Sequence, residues 1–353
     1  MNSALEGGWI SSRGEFINKF EQIFAEVMGA NYALAVTNGT AALHLALTTI
    51  GISQGDEVIV PNFCMIAPIF AVLYCGAKPV PVDCDHTWNM DPLLIEEKIS
   101  PRTRAILVVH TYGHPADMET IYAIARRHGL YLIEDVAEAL GATVNGRKAG
   151  SYGDIACFSF YANKIITTGE GGMVTLQDQQ LYAKARWKRD MCFGQENEDR
   201  FIHQDIGYNY RMTNLAAALG VAQINHLDKA IEAKINIAKW YSSFLQGVRG
   251  LRLPEESPWA KNVYWVYGIV LEKEFGLSRP SLMKLLHVAG IDTRTFFHAI
   301  HLQPVLRELR IEGKFPNSVY LSDNGLYIPS YVGMAEATAL RVAETIRHIQ
   351  KRV

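Results

Sequence analysis

The sequence predicts an α/β protein: a large domain (1–245) on a mostly parallel sheet flanked by helices, then a smaller C-terminal α/β lobe (246–353). Three observations predict it. Short apolar runs alternate with longer amphipathic segments through residue 176, and from about residue 179 the pattern turns helical. Gly247, Gly250, Pro254 and Pro258 then break the composition, as turn-forming residues do between structural units.

The candidate strands, in order, are ALAV (33–36), EVIV (57–60), PVPV (79–82), AILVV (105–109), LYLIE (130–134) and IACFSF (155–160). Each is a short, nearly continuous apolar run, as expected of parallel strands buried on both faces. Helix-like segments separate them at about 40–50, 66–76, 92–99 and 117–129, and 215–245 reads as one or two long helices. The remainder mixes two or three strands with helices, the last one amphipathic. In such sheets ligand groups gather beyond the carboxyl ends of the strands.

Composition narrows the function. Among 353 residues, 34 basic and 36 acidic side chains leave a net charge of -2 with no basic stripe, so a nucleic-acid footprint is absent. No apolar run approaches the roughly 20 residues that span a bilayer, and MNSALEGGWISSRGEF lacks the features of a signal peptide. Five scattered cysteines form no CxxC pair. A cytoplasmic protein without a membrane or nucleic-acid partner is expected.

Four strand ends carry candidate chemistry. LYLIE delivers Asp135, and IACFSF delivers Ser159 with Lys164 five residues later. ALAV runs into TNGTAALHLAL, where Gly39 and Thr40 open a helix whose free amides suit a phosphate. Pyridoxal 5'-phosphate needs this set: a lysine for the Schiff base, an anion for the pyridinium nitrogen and donors for the phosphate. Trp88 and Ala137 can cover the two faces of its ring, and the glycines of TTGEGGM allow a tight turn behind Lys164. Taken singly, each feature also has an ordinary reading: a solvated lysine, a turn aspartate, a packed tryptophan. There is no GxGxxG after a strand, no GxxxxGK[ST], no GxSxG and no HExxH. His110 and His114 have no cysteine or carboxylate at ligand spacing, so they read as turn histidines and no metal site is expected.

FSFYANKIITTGEGGM, IEDVAEALGA, TNGTAALHLAL, GDEVIVPNF and GYNYRMTNLAAALG together resemble the DegT-type nucleotide-sugar aminotransferases of pyridoxal-phosphate fold type I, over nearly the whole chain. The resemblance implies roles: Lys164 as the Schiff-base lysine, Asp135 at the pyridinium nitrogen, Trp88 on the ring, and Gly39, Thr40 and Ser159 at the phosphate. It also puts Glu138 near the phenolic oxygen and has Asn209 reach the phosphate of a neighbouring subunit, which implies a homodimer with shared sites. The implied reaction passes an amino group from L-glutamate, through the pyridoxamine form of the cofactor, to a nucleotide-linked 4-keto-6-deoxy sugar. The SSRG, TTGEGG and GYNYRMTN segments resemble the branch acting on GDP-linked mannose-type sugars; UDP- and TDP-linked glucose types stay open. Trp9, Ser12, Arg13, Arg294, Phe296 and His301 are the implied sugar-nucleotide contacts.

Met65, Pro68, Phe70, Leu140, Ala162 and Ile165 depart from the family pattern. Two rival readings stand beside this one. A dehydrase of the same family would carry histidine in place of Lys164, and a non-catalytic relative would have lost Lys164 or Asp135.

Overall fold

The computed structural model describes residues 1–194, 196 and 198–353. Seven strands form the main sheet: β1 (Tyr32–Val36), β2 (Glu57–Pro61), β3 (Lys78–Val82), β4 (Thr103–Val109), β5 (Tyr131–Asp135), β6 (Ile155–Ser159) and β7 (Gly172–Leu176). Their spatial order is β1-β7-β6-β5-β4-β2-β3. The sheet is parallel from β6 through β5, β4 and β2 to β3, while β7 runs antiparallel to both β6 and β1.

The six strands anticipated from apolar runs are all present. β7 is the addition: its leading GEGG reads as a turn, yet Gly172 already pairs with Ser159 and Val36. A Cβ at Gly172 would lie 2.5 Å from the Asn38 carbonyl oxygen, so the strand must begin with a bare backbone. Lys164 therefore sits in a loop whose two ends are hydrogen-bonded neighbours.

The helices cover both faces. Gly39–Thr49 starts where expected, capped by Asn38, whose Oδ1 accepts the Ala41 N–H at 2.8 Å. Ala67–Tyr74 and Met118–Arg127 fill two more predicted crossovers. The segment 92–99 is instead two 3₁₀ turns, Pro92–Leu94 and Glu96–Lys98. Asp91 caps the first turn at Leu93, and so short a segment cannot sustain an α-helix alone. Helix Glu15–Met28, which the strand-and-crossover pattern did not disclose, buries Phe20 and Phe24 against Phe158 and Phe160.

The helical stretch 215–245 splits at Asn225 and His226 into Asn214–Ile224 and Leu227–Leu245. The longer helix belongs to two cores. Leu227, Ala230 and Ile231 pack with Phe20, Phe158 and Trp265, whereas Ile237, Ala238, Tyr241 and Leu245 pack in the C-terminal lobe. That lobe holds an antiparallel sheet in the order Leu251–Arg252, Tyr267–Leu271, Gly325–Ile328, Arg294–Thr295. Helices Arg279–Val288, Pro316–Asn324 and Glu336–Gln350 pack around it. No helix among the described residues is long and apolar enough to cross a membrane.

Candidate active site

The site is assembled where β1, β3, β5 and β6 end. β5 stops at Asp135, and the turn that follows presents Ala137 and Glu138. Asp135 is buried; its Oδ1 accepts the Ala137 N–H at 3.0 Å, and Oδ2 has no protein donor among the described residues. Glu138 is buried too, with Oε2 accepting the Tyr112 N–H at 2.8 Å.

Lys164 faces these two acids. Its Nζ lies 3.7 Å from the centre of the Trp265 ring and has no ion-pair partner among the described residues. Trp265 is itself fixed by donating its indole N–H to the Asn163 carbonyl at 2.7 Å. Burial lowers the pKa of the Lys164 amine, while the negative charges of Glu138 and Asp135 pull the other way. Burial raises Asp135, against the Ala137 N–H and the positive field of Lys164. Burial pushes Glu138 up to about 7, opposed by Lys164 and the Tyr112 N–H and assisted by Asp135. Two acids and one amine thus face one another, and burial pushes both carboxyls toward their neutral forms.

β1 leads into the helix opened by Gly39 and Thr40, whose first-turn amides have no intrahelical acceptor. A Cβ at residue 39 would fall 2.9 Å from the Ser159 Cβ, so only glycine lets this helix start approach the end of β6. Trp88 stands in a turn tied by Asp85, whose Oδ1 accepts the Thr87 N–H at 2.7 Å and the Thr87 hydroxyl at 2.6 Å. Trp88 adopts φ +70°, and its ring meets Phe296 at 5.0 Å and Tyr112 at 6.2 Å. Tyr112 is held at φ +56°, a strained conformation for an aromatic residue, and its hydroxyl accepts the Phe297 N–H at 2.9 Å.

Lys164 lines a cavity of about 640 Å³ with Trp265, Lys234, Arg294, Tyr327 and Tyr331. Of the six implied sugar contacts, the fold brings Arg294 alone into that cavity, exposed and paired with Asp292 at 3.0 Å. Phe296 is buried behind Trp88. His301 donates its backbone N–H to Asn62 Oδ1 at 3.1 Å and lays its ring on Phe315. Trp9 is exposed, and Ser12 and Arg13 line a different cavity, of about 1290 Å³, together with Arg211. Asn209 is exposed, its Oδ1 accepting from Arg211 at 2.6 Å. Among the departures from the family pattern, Leu140, Ile165 and Pro68 are buried, whereas Met65 and Ala162 are exposed and Phe70 is half-buried.

Trp265, Tyr112 and Lys234 were not anticipated. Trp265 and Lys234 carry no local motif, and the fold alone brings them beside a lysine far away in sequence. Tyr112 sits between His110 and His114, whose own roles are structural. His110 Nδ1 accepts the Ala116 N–H at 3.0 Å while Nε2 donates to Glu134, and His114 Nε2 accepts the Ser257 N–H at 3.1 Å.

The profile of the DegT/DnrJ/EryC1/StrS aminotransferase family matches residues 1–347. A GDP-perosamine synthase of Caulobacter vibrioides is 43% identical over 345 residues, covering 97% of this chain and 92% of that protein. A dTDP-3-amino-3,4,6-trideoxy-alpha-D-glucose transaminase of Streptomyces venezuelae is 37% identical over 345 residues, covering 96% of this chain and 88% of that one. Among solved structures, S. venezuelae DesV in complex with a ketimine intermediate superposes with a TM-score of 0.93 at 36% identity, covering 100% of this chain and 93% of that one.

The cofactor is pyridoxal 5'-phosphate, and the residues present fit it. A half-buried amine with no ion pair among the described residues, a buried carboxylate with an unused oxygen and a helix start at which only glycine fits are the three features it requires. Fold, site chemistry and family profile agree: this chain is a fold type I enzyme and belongs to the DegT/DnrJ/EryC1/StrS aminotransferase family.

Proposed function

We propose that the protein transfers the amino group of L-glutamate to carbon 4 of GDP-4-keto-6-deoxymannose, giving GDP-perosamine. The observation that carries this reading is the likeness, over nearly the whole chain, to relatives named GDP-perosamine synthase, together with Lys164 facing Asp135 and Glu138. A dehydrase of the same family is disfavoured because lysine, not histidine, stands at residue 164.

Bound pyridoxal phosphate supplies an electron sink for the carbon that loses or gains its proton. Lys164 holds the cofactor between turnovers; once released, its Nζ carries the proton to and from the substrate carbon. Burial favours the neutral amine that this task needs. The Asp135 carboxylate, with Oδ2 unused among the described residues, would hold the ring nitrogen and keep it protonated. The amides of Gly39 and Thr40 and the Ser159 hydroxyl would hold its phosphate, Trp88 and Ala137 would cover its ring, and Glu138 would meet its phenolic oxygen.

Trp9, Ser12, Arg13 and Asn209 serve the site of a second copy in a homodimer. Two features support this: these residues lie outside the cavity of Lys164, and exposed apolar side chains (Trp9, Ile10, Phe201, Ile202, Ile206) accompany them. Complementation tests it. Mixing Lys164→Ala with Asn209→Ala subunits should restore a fraction of the activity that each lacks alone; no recovery would place all these residues in one protomer's own site.

The substrate test is a half-reaction. Enzyme converted with L-glutamate and freed of donor is offered GDP-4-keto-6-deoxymannose, with UDP- and TDP-linked glucose-type 4-ketosugars in parallel. Rapid return of the visible cofactor band with the GDP sugar alone supports the proposal. Return only with a TDP or UDP sugar moves the substrate to the second reading, which the likeness to a dTDP-sugar transaminase favours. A band that glutamate never bleaches removes the donor assignment.

A further inference from the structure

Asp83 has no place in the chemistry above, yet it is 3% exposed and both its oxygens are used. It follows β3 directly and opens the turn that carries Trp88, where Cys84 bridges Met90 and the Asp91 N–H donates to the Asp83 carbonyl at 3.0 Å. Its carboxylate points away from that turn, to the start of helix Pro316–Asn324 in the C-terminal lobe. Oδ1 accepts the Ser318 N–H at 2.8 Å and the Ser318 hydroxyl, and Oδ2 accepts the Asn317 N–H at 3.0 Å. Asn317 returns a bond from its side-chain amide to the Cys84 carbonyl at 2.7 Å. The helix has no cap of its own, since Phe315 at its N-cap position offers no side-chain acceptor. A carboxylate more than 230 residues away in sequence performs that task, with the charge that suits a helix N-terminus.

The far end of the same helix governs a second element. The Ser322 hydroxyl donates to the Phe297 carbonyl at 2.9 Å and accepts the Ala299 N–H at 2.5 Å. Those bonds set the segment from Arg294 to His301, which is also tied to the large domain by Phe297 N–H to Tyr112 and Ile300 N–H to the Asn62 carbonyl. Phe296 in that segment is wedged between bare backbones: a Cβ on Gly268 or Gly325 would lie 2.5 or 2.0 Å from its ring. Its ring packs on the aromatic rings of Phe63, Tyr112 and Trp88, the last at 5.0 Å. The chain of contact therefore leaves the Trp88 turn at Asp83, crosses into the C-terminal lobe, and returns to the Trp88 ring through Phe296.

From this closed loop we infer that Asp83 is a positioning residue: by capping helix Pro316–Asn324 it sets Phe296 against Trp88, and so fixes the aromatic face on which the cofactor ring lies. The inference rests on the cofactor-stacking role given to Trp88 above. Four variant holoenzymes test it through the visible circular dichroism of the bound cofactor, which reports asymmetry at the ring. Asp83→Asn keeps the size but puts an amide against the Asn317 N–H, and Ser322→Ala cuts the loop at its other end. Trp88→Phe alters the ring itself.

In Asp83→Asn the visible dichroic band should change shape and fall by about half, with a rise of about tenfold in KM for the sugar and a change below about threefold in kcat. Ser322→Ala should alter the band in the same sense, and Asp83→Glu, which retains the charge, should recover part of the signal. If Trp88→Phe changes the band while Asp83→Asn merely lowers the melting temperature, the positioning role is wrong and Asp83 is a fold contact. If Trp88→Phe leaves the band untouched, the assignment of Trp88 to the cofactor fails first.

Discussion

Glu134 and Asp135 are consecutive acids on one strand, and pleating sends them to opposite faces of the sheet. Both are buried. Glu134 is saturated: it accepts the N–H groups of Gly150, Tyr152 and Gly153 at 2.6–2.7 Å and the His110 Nε2–H at 3.1 Å. Asp135 receives one N–H, from Ala137. The contrast separates two uses of a buried carboxylate. Where protein donors consume every lone pair, the charge knits a loop to a strand; where they leave an oxygen free, the desolvated charge awaits a ligand.

Substitutions on the two faces should part company accordingly. The largest effect belongs to the amine that Asp135 faces: Lys164→Ala should lower turnover by about 10⁴-fold or more with the fold intact, measured by product formation and far-ultraviolet dichroism. Asp135→Asn should cost on the order of a hundredfold in kcat with little change in melting temperature. Glu134→Gln should do the reverse, destabilising by about 3 kcal/mol in denaturant while the surviving folded fraction keeps most of its kcat. A Glu134 variant that unfolds nothing but loses turnover would erase the distinction.

Glu138 gives a pH signature. Its carboxyl is raised from an unfolded value of 4.5 to about 7, so between those limits the folded cofactor-free protein holds the proton that the unfolded chain has lost. Stability from this group is complete below pH 4.5 and fades as pH climbs to 7, by on the order of 2 kcal/mol. Glu138→Gln should flatten that slope in denaturant titrations at pH 5 and 7. The smallest effect is expected at the exposed Asp292–Arg294 pair: Arg294→Ala should shift stability by less than about 0.5 kcal/mol, yet raise the KM for the sugar severalfold.

What the sequence disclosed follows the same division. β5 and β6 are apolar runs flanked by turn residues, so Asp135, Ser159 and Lys164 could be located by counting from strand ends. β7 escaped because it opens on Gly172, a residue the passing Asn38 carbonyl demands rather than strand propensity. The aromatic wall of Trp88, Tyr112, Trp265 and Phe296 joins four stretches of chain, and no local period encodes such a meeting. The same limit applies to Ser12 and Arg13, which the resemblance nominates but which stand at another cavity of their own chain.

The pairing of Ser159 with Gly172 has a consequence for how the enzyme can change over time. The parallel strands β2 to β6 are joined in sequence by crossovers, and lengthening a crossover can shift the strand that follows. The lysine hangs instead from a hairpin closed at its base. Insertions and deletions in the surrounding crossovers can accumulate, and substrate-facing loops can be exchanged, while the nucleophile keeps its address.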